Sequence, residues 1–495
     1  MMTEASLLAK RFQPLSVYQA RLEHTHQYQL LPFNFARFST GAKYLVSNDA
    51  GDYCLLGREE LVKLVDGDLV FDSDIYRTLR AKHFLYDDTS DVAIDLLALK
   101  IRTKHASLRN FTSLHIFVVT LRCDYSCPYC QVSRKTEDKS QYDMSEETAS
   151  RALALVFRSP SPQIKIEFQG GEPLLNFDLI KFIVQRANEI NQSEKRDLQF
   201  VIATNLSFLS EEILDFCEAH RICISTSLDG PIDLHNKNRP RPNKDGYQRT
   251  RAAIDRVRQR LGPDYIAALM TTTESSLVNP QQIVDEYLDA GFNSIFLRPL
   301  SPYGFAVRTR QVEKYDMERF FDFYKEALAY IIELNLHGVP FREEYTMLVL
   351  RKLISPYPTS YVDLQTPAGA AISVIVFNYD GNVYPTDESR MLVEMGDTTF
   401  CLGNVKTSTY EDIFLNPTLL QCLEESLTYS APECYECAFQ PYCGSDPTYH
   451  HATQRDWVGH KAFSGFCTRT KLVTAHLIEL LEANDDTATI LFGWV

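Results

Sequence analysis

Between residues 114 and 300 the chain alternates short apolar runs with longer amphipathic stretches. The runs at 114–121, 164–168, 198–204, 222–228, 266–270 and 294–300 are of strand length, and short apolar runs bounded by turn residues read as buried strands. Between them, 145–157, 179–190, 211–220, 247–261 and 281–290 space their apolar residues at the helical period. Ser145 with Thr148, and Pro280, suit helix starts. This alternation predicts an α/β fold, a parallel sheet with helices over its outer face. Six such units curl into a partial (βα)6 barrel of TIM type, in which chemistry gathers at the C-terminal strand ends. Polar and glycine residues fall at those ends: 122–130 after the first strand, Gly170-Gly171-Glu172 after the second, Thr204-Asn205 after the third, Asp229-Gly230 after the fourth and Arg298 in the sixth.

The flanks read differently. Strands at 44–46 and 53–56 around an Asn48–Gly51 turn, with helices at 58–64 and 75–82, predict a small N-terminal α+β domain over 1–110. The barrel core occupies 111–310 and a helical bridge 311–370, with its main helix at 312–336. Residues 371–495 hold a hairpin at 375–384 turning on Asp380-Gly381, a cysteine-rich segment and a last helix near 471–483.

Composition narrows the function classes. With 45% hydrophobic and 23% charged residues the chain is ordinary for a globular protein. Its 50 Lys and Arg against 65 Asp and Glu give a charge of -15, which argues against nucleic acid as a partner. Residues 1–19 carry Glu4, Lys10 and Arg11 without a signal-like apolar run, and no apolar run approaches the roughly 20 residues of a membrane span. A cytoplasmic location without membrane attachment is expected. The 12 cysteines then serve as ligands or packing groups, because a reducing compartment disfavours disulfides. Cys54, Cys217, Cys223, Cys401 and Cys422 are scattered and read as packing residues.

Cys123-x3-Cys127-x2-Cys130 follows the first strand. Three thiolates on one loop can each hold one iron of a 4Fe-4S cubane and leave the fourth iron open to a small molecule; the spacing also permits zinc. With Tyr129 before the last cysteine, the motif resembles the signature of the radical S-adenosylmethionine (radical SAM) superfamily. Gly170-Gly171-Glu172-Pro173 matches that family's second signature, beside the SAM amino group. The resemblance implies that SAM chelates the open iron, is reductively cleaved, and yields a deoxyadenosyl radical that takes a substrate hydrogen. Asn205, Ser227 and Asp229 match positions that bind the SAM ribose and carboxylate, and Arg298 is placed to neutralise a carboxylate. Strand-end capping or surface charge accounts for these four equally well.

A second group, Cys434-x2-Cys437-x5-Cys443 with Cys467 further on, resembles the SPASM extension of radical SAM maturases. Thr386 and Pro447 stand where that pattern has cysteines of its inner cluster, while all four ligands of the outer one are present. The resemblance implies one auxiliary 4Fe-4S cluster; a four-cysteine zinc site is the competing reading. Asp387 matches the base of sulfatase-maturing relatives, and a turn aspartate is the plainer alternative.

Longer blocks narrow the likeness. FTSLHIFVVTLRCDYSCPYCQVSR at 111–134, SPSPQIKIEFQGGEPLLNF at 159–177, FLRPLSPYGFA at 296–306 and CAFQPYCGSDPTYHHATQRD at 437–456 resemble the B-type radical SAM maturase of the His-Xaa-Ser system. LPFNFARF at 31–38 belongs to the same likeness. It implies a ribosomally made precursor peptide with His-Xaa-Ser repeats as substrate, a companion C-type radical SAM enzyme, and an external electron donor such as flavodoxin or ferredoxin. An anaerobic sulfatase-maturase-like oxidation of Cys or Ser is the alternative enzymatic reading, and a zinc- or cluster-stabilised binding scaffold the non-enzymatic one. The N-terminal unit is similar to winged-helix elements that grip leader peptides, though a packing role fits as well. The basic loop from His235 to Arg241 is expected above the barrel mouth, where it could hold an acidic peptide or remain solvated.

Overall fold

The computed structural model describes residues 28–38, 43–90, 92–132, 134–135, 138–359, 361–483 and 485–495. The segment 1–19, read above as lacking a signal pattern, lies outside them. The chain divides into two units: Met1–Ala106 with Lys352–Pro358 and Glu433–Tyr442, and Ser107–Arg351 with Thr359–Pro432 and Cys443–Val495. Among the described residues no helix is long and apolar enough to cross a membrane.

In the first unit the strands Asn34–Arg37, Lys43–Ser47 and Tyr53–Gly57 form an antiparallel sheet. Helices Arg58–Asp66 and Asp74–Ala81 follow; Gly67, in the left-handed region at φ 83°, ends the first, and Ser73 caps the second by accepting from the Tyr76 amide. Alternate strand residues Val46, Cys54 and Leu56 pack with Leu61, Leu64, Tyr76 and Leu79 into one core. The helix Ala93–Lys104 was not expected. Its Ile94, Leu96 and Leu99 are exposed and only Leu97 is buried, so it shows no clean apolar stripe.

The second unit is built on an eight-stranded sheet. Five parallel strands, Leu114–Thr120, Gln163–Gly170, Asp197–Ala203, Cys223–Ser227 and Ile266–Leu269, lie side by side in chain order, as the alternation predicts. Helices Glu146–Val156, Phe177–Glu194, Glu211–His220, Gly246–Leu261 and Pro280–Asp289 alternate with them. Ser145 caps the first of these by accepting from the Thr148 amide, and Pro280 opens the last. The sixth strand is shorter than expected. Only Ser294–Ile295 is extended, and it pairs with Arg342–Glu343 outside the main sheet, while Pro299 is joined to Thr272 by a single bridge. Proline cannot donate to a ladder, which ends the strand there.

The sheet instead grows beyond its first strand. Val374–Phe377 pairs in parallel with Leu114–Thr120 and forms the expected hairpin with Asn382–Tyr384, whose turn has Gly381 at φ 90°. Gly403–Asn404 closes that edge. The long helix is Met317–Leu336, beginning later than the sequence pattern because Asp316 caps it by accepting from the Arg319 amide at 2.9 Å. Gly465–Glu482 is the last long helix.

Candidate active site at the strand ends

The first two strands end in register Thr120↔Gly170 after a local shift, and the cysteine loop leaves the sheet at that point. Gly170 lies so close to the neighbouring strand that a Cβ would stand 2.0 Å from the Thr120 carbonyl oxygen; at Gly171 it would stand 2.3 Å from the Arg122 carbonyl. Both glycines are therefore required by strand-to-strand contact. The Gly171 and Glu172 amides donate to those same two carbonyls at 2.9 and 2.7 Å. Arg122 fixes the loop's start with two 2.7 Å bonds to Asp143 and a third, at 2.8 Å, to the Leu175 carbonyl. Its far end is held by the Phe305 amide donating to the Cys130 carbonyl at 2.8 Å.

This anchoring brings Cys123, Cys127 and Cys130 together in the wall of one cavity of about 240 Å³. Its walls also include Tyr129, Gly170, Gly171, Asn205, Ser227, Arg298 and Asp387, so most of the residues singled out from the sequence meet in one place. Asn205 ties the walls together: its side-chain amide donates to Asp124 of the cysteine loop at 3.0 Å and lies 3.9 Å from the Cys123 sulfur. Burial pushes the Cys127 thiol up to about 12, against the lowering effect of Arg239, and holds Cys123 well above the ordinary thiol range. Such thiols give up their protons on metal ligation rather than beforehand. Among the described residues no three His, Cys, Asp or Glu gather as for a single metal ion. A cubane needs instead three thiolates facing one space, each on its own iron. Three cysteines, strand-end hydroxyls and amides, and the guanidiniums of Arg239 and Arg298 make a donor set that fits such a cluster with an amino-acid ligand beside it.

Three of the candidate SAM-binding residues stand elsewhere. Glu172, Pro173 and Asp229 are buried and are not part of the cavity wall. The Glu172 carboxylate accepts from the Leu174 amide at 2.9 Å, the Thr204 hydroxyl at 2.6 Å and the Asn205 amide at 2.8 Å. Burial, partly offset by these bonds, pushes it up to about 7. Asp229 accepts from the Tyr129 hydroxyl at 2.5 Å and pairs with Arg239 at 3.2 Å. Both carboxylates fix the groups that do reach the cavity. The stretch from His235 to Arg241, expected as a loop that holds an acidic peptide or stays solvated, is largely folded in. Much of it is the helix Ile232–Asn238, with His235 fully buried, Arg239 paired to Asp229, and Arg241 paired to Asp124 and Asp245.

Arg239, Glu167, Gln169, Thr271 and Met391 line the cavity without having been singled out as site residues. Glu167 and Gln169 had a readable signal. They alternate with Ile164, Ile166 and Phe168, which face the helices, so the polar positions of that strand must face the other way. Gln169 donates to Glu167 at 2.7 Å, and burial pushes the Glu167 carboxyl up, with Asp387 adding to the rise. Asp387 opens the helix Asp387–Val393, 3.6 Å from the Arg390 guanidinium. Two carboxylates and Arg298 thus share the wall beside the thiols.

The C-terminal cysteines divide between the units, Cys434 and Cys437 in the first and Cys443 and Cys467 in the second. The Cys437 amide donates to the Cys434 carbonyl at 3.0 Å, and Cys467 sits in the first turn of its helix. Thr386 caps the Asp387 helix and Pro447 opens the helix Pro447–Gln454, so each has a local structural role. Of the scattered cysteines, Cys54, Cys217 and Cys422 are buried, whereas Cys401 is partly exposed and Cys223 exposed.

Residues 117–277 match the model of the Radical SAM superfamily. An uncharacterized protein of Methanocaldococcus jannaschii is 37% identical over 128 residues, 26% of this chain and 42% of that one. The cysteine-type anaerobic sulfatase-maturating enzyme of Clostridium perfringens is 22% identical over 347 residues, covering 67% of this chain and 87% of the enzyme. Among solved structures, native anSMEcpe with bound AdoMet superposes with a TM-score of 0.63 at 18% identity, covering 77% of this chain and 99% of that one. Streptococcus suis SuiB bound to S-adenosylmethionine gives 0.50 at 14% identity, covering 84% and 94%. Cys123, Cys127 and Cys130 lie in the region that matches the Radical SAM superfamily model, while Arg298, Asp387 and Met391 of the cavity wall lie beyond it.

Proposed function

We propose that this protein is a radical SAM peptide maturase acting on a ribosomally made precursor of the His-Xaa-Ser type. The observation that carries the reading is the convergence of Cys123, Cys127 and Cys130 on one cavity with Glu167, Arg298 and Asp387. Cys123, Cys127 and Cys130 would hold the cluster, and Asn205, Ser227 and Arg239 would contact SAM. When bound, this pair supplies a carbon radical able to remove a hydrogen from an unactivated C–H bond. The protein's own part is to keep the site in order. Asp229 holds Tyr129 and Arg239 against the cavity, and Glu172 holds the Asn205 turn. Asp387 is placed to take the proton that oxidation of a substrate X–H group releases, with Glu167 beside it as a second acceptor.

A peptide substrate is supported by the relatives: the Clostridium enzyme matures sulfatases by name, and anSMEcpe has been solved with AdoMet and the Kp18Cys peptide. In the first unit, Asn34–Arg37 is an edge strand with Phe35 half exposed, suited to pairing with an added peptide strand. Cys434, Cys437, Cys443 and Cys467 would hold the single auxiliary cluster. The companion C-type enzyme, a flavodoxin or ferredoxin donor and a cytoplasmic setting complete the reading. The test is to incubate the reconstituted, reduced enzyme with SAM and the His-Xaa-Ser peptide and follow the peptide mass. A mass change or a new cross-link that Cys127→Ala abolishes supports it. An unmodified peptide alongside turnover of a Cys-containing sulfatase peptide favours the sulfatase-maturase reading instead.

A further inference from the structure

Next to the thiol cavity, and sharing Arg298 with it, lies a second cavity of about 40 Å³ in the same unit. Its charged lining is Arg298, Asp363, Glu388, Asp446 and Arg469, three carboxylates to two guanidiniums. The pairs do not close. Arg298 stands 3.6 Å from Glu388 and Arg469 3.7 Å from Asp363, well beyond the 2.7–2.9 Å of a charge-assisted bond. Among the described residues the Asp446 carboxylate accepts only the Tyr449 amide, at 2.8 Å. Tyr303 points into the same space with 1% of its surface exposed and no partner for its hydroxyl, and Arg469 Nε and Nη2 are buried without hydrogen bonds. The ring of Tyr303 is packed with Met391, Leu392 and Phe400, so the hydroxyl is held where it is. Buried polar groups are nearly always partnered, and several unpartnered ones around a single space mark a binding site.

We propose that this cavity binds a compact nitrogen cation, the imidazolium or ammonium tip of a substrate side chain, and so sets which residue is presented to the neighbouring thiol cavity. This rests on the peptide-maturase reading and adds the chemistry of the residue recognised. Counted as ionised, the three carboxylates leave one over after each guanidinium has its partner, so a cation entering the cavity takes the place of a proton held there. The size suits a small head group, because the space corresponds to a few water-sized groups. Burial first, then Asp363 and Asp387, pushes Glu388 up to about 7, and burial with Asp363 and Glu388 holds Asp446 well above the carboxylate range. Acids in this state exchange a shared proton for a cation with little cost.

The test is calorimetric titration of the anaerobically reconstituted enzyme with imidazole at about pH 6, where it is protonated, against pyrazole as a neutral analogue. N-acetyl-histidine methylamide serves as the peptide-like arm. Imidazolium and the histidine amide are expected to bind and pyrazole not. Asp446→Asn, which retains a good helix cap, is expected to weaken binding about 10-fold, and Tyr303→Phe, which removes only the hydroxyl, about 3-fold or more. Equal binding of pyrazole, absence of imidazolium binding, or insensitivity to both substitutions overturns the inference. Binding of free imidazole without the histidine amide overturns the assignment to a substrate side chain. Substrate-free deoxyadenosine release, measured in parallel, keeps the two readings apart: release without cation binding sinks this inference alone, and absence of release sinks the radical SAM mechanism.

Discussion

Removing the carboxylate of Glu172 tests whether it is a structural tie or a ligand for the SAM ammonium. Its two oxygens accept three bonds, from the amides of Leu174 and Asn205 and the hydroxyl of Thr204, and the residue is wholly buried. Glu172→Ala leaves these donors facing a void. At about 1–3 kcal/mol for each unsatisfied buried donor, and with the Thr204 hydroxyl free to turn, the loss of unfolding free energy is expected to be about 4 kcal/mol. Thr204→Val, which removes one donor to Glu172 and the acceptor of the Leu206 amide, is expected to cost about 2 kcal/mol, and the pair should be strongly non-additive because the two share a bond. The assay is urea unfolding of the anaerobic apo-protein followed by far-UV circular dichroism. The turn that Glu172 holds carries Asn205, whose side chain steadies Asp124 of the cysteine loop. Iron uptake by the alanine variant should therefore fall as well. A direct ligand role predicts the opposite pattern, with unchanged stability and weaker SAM binding. An unfolding free energy within about 0.5 kcal/mol of wild type would refute the reasoning.

Three further outcomes follow from the same geometry. Gly170→Ala sets a Cβ 2.0 Å from a backbone oxygen at φ 153°, so expression should yield insoluble protein or a loss above about 3 kcal/mol by denaturant unfolding. Glu343 is fully buried, accepts from the amides of Leu297, Tyr345 and Thr346, and is pushed up to about 7 by burial. Its folded state holds the proton more tightly than the unfolded one, a contribution complete below about pH 4.5 and lost as pH rises through 7. The cost of Glu343→Gln should accordingly shrink by up to about 3 kcal/mol between pH 4.5 and 8, and a cost that grows with pH contradicts this sign. Asp387→Asn should slow peptide oxidation about 100-fold or more while deoxyadenosine still forms, read by chromatography of both products.

Much of the second unit was legible because its strands and helices carry different periods. The five parallel strands and the Ser145 cap sit where apolar runs and start residues placed them. The sixth strand was over-read: 294–300 is apolar enough, but only Ser294–Ile295 pairs, with Arg342–Glu343, and Pro299 adds a single bridge. The strand Val374–Phe377 was visible as half of a hairpin, whereas its pairing with the first core strand spans about half the chain and leaves no local trace. At the site, cysteine spacing led to the cavity. Side-chain direction was not legible, and it separates Asn205, which faces the cavity, from Glu172 and Asp229, which hold its walls from behind. Arg239 was hidden in a basic stretch that looked solvent-facing, because its buried partner Asp229 lies ten positions earlier.

Three cysteines on one cavity are proposed here to support reductive cleavage of SAM. That cleavage is tested most directly by deoxyadenosine release from SAM by the anaerobically reconstituted, dithionite-reduced protein, with Cys127→Ala as control. Release by the wild type and none by the variant is expected. A wild-type protein with its full iron content that releases none, with the His-Xaa-Ser peptide present, would contradict it and leave the cavity as part of a binding scaffold.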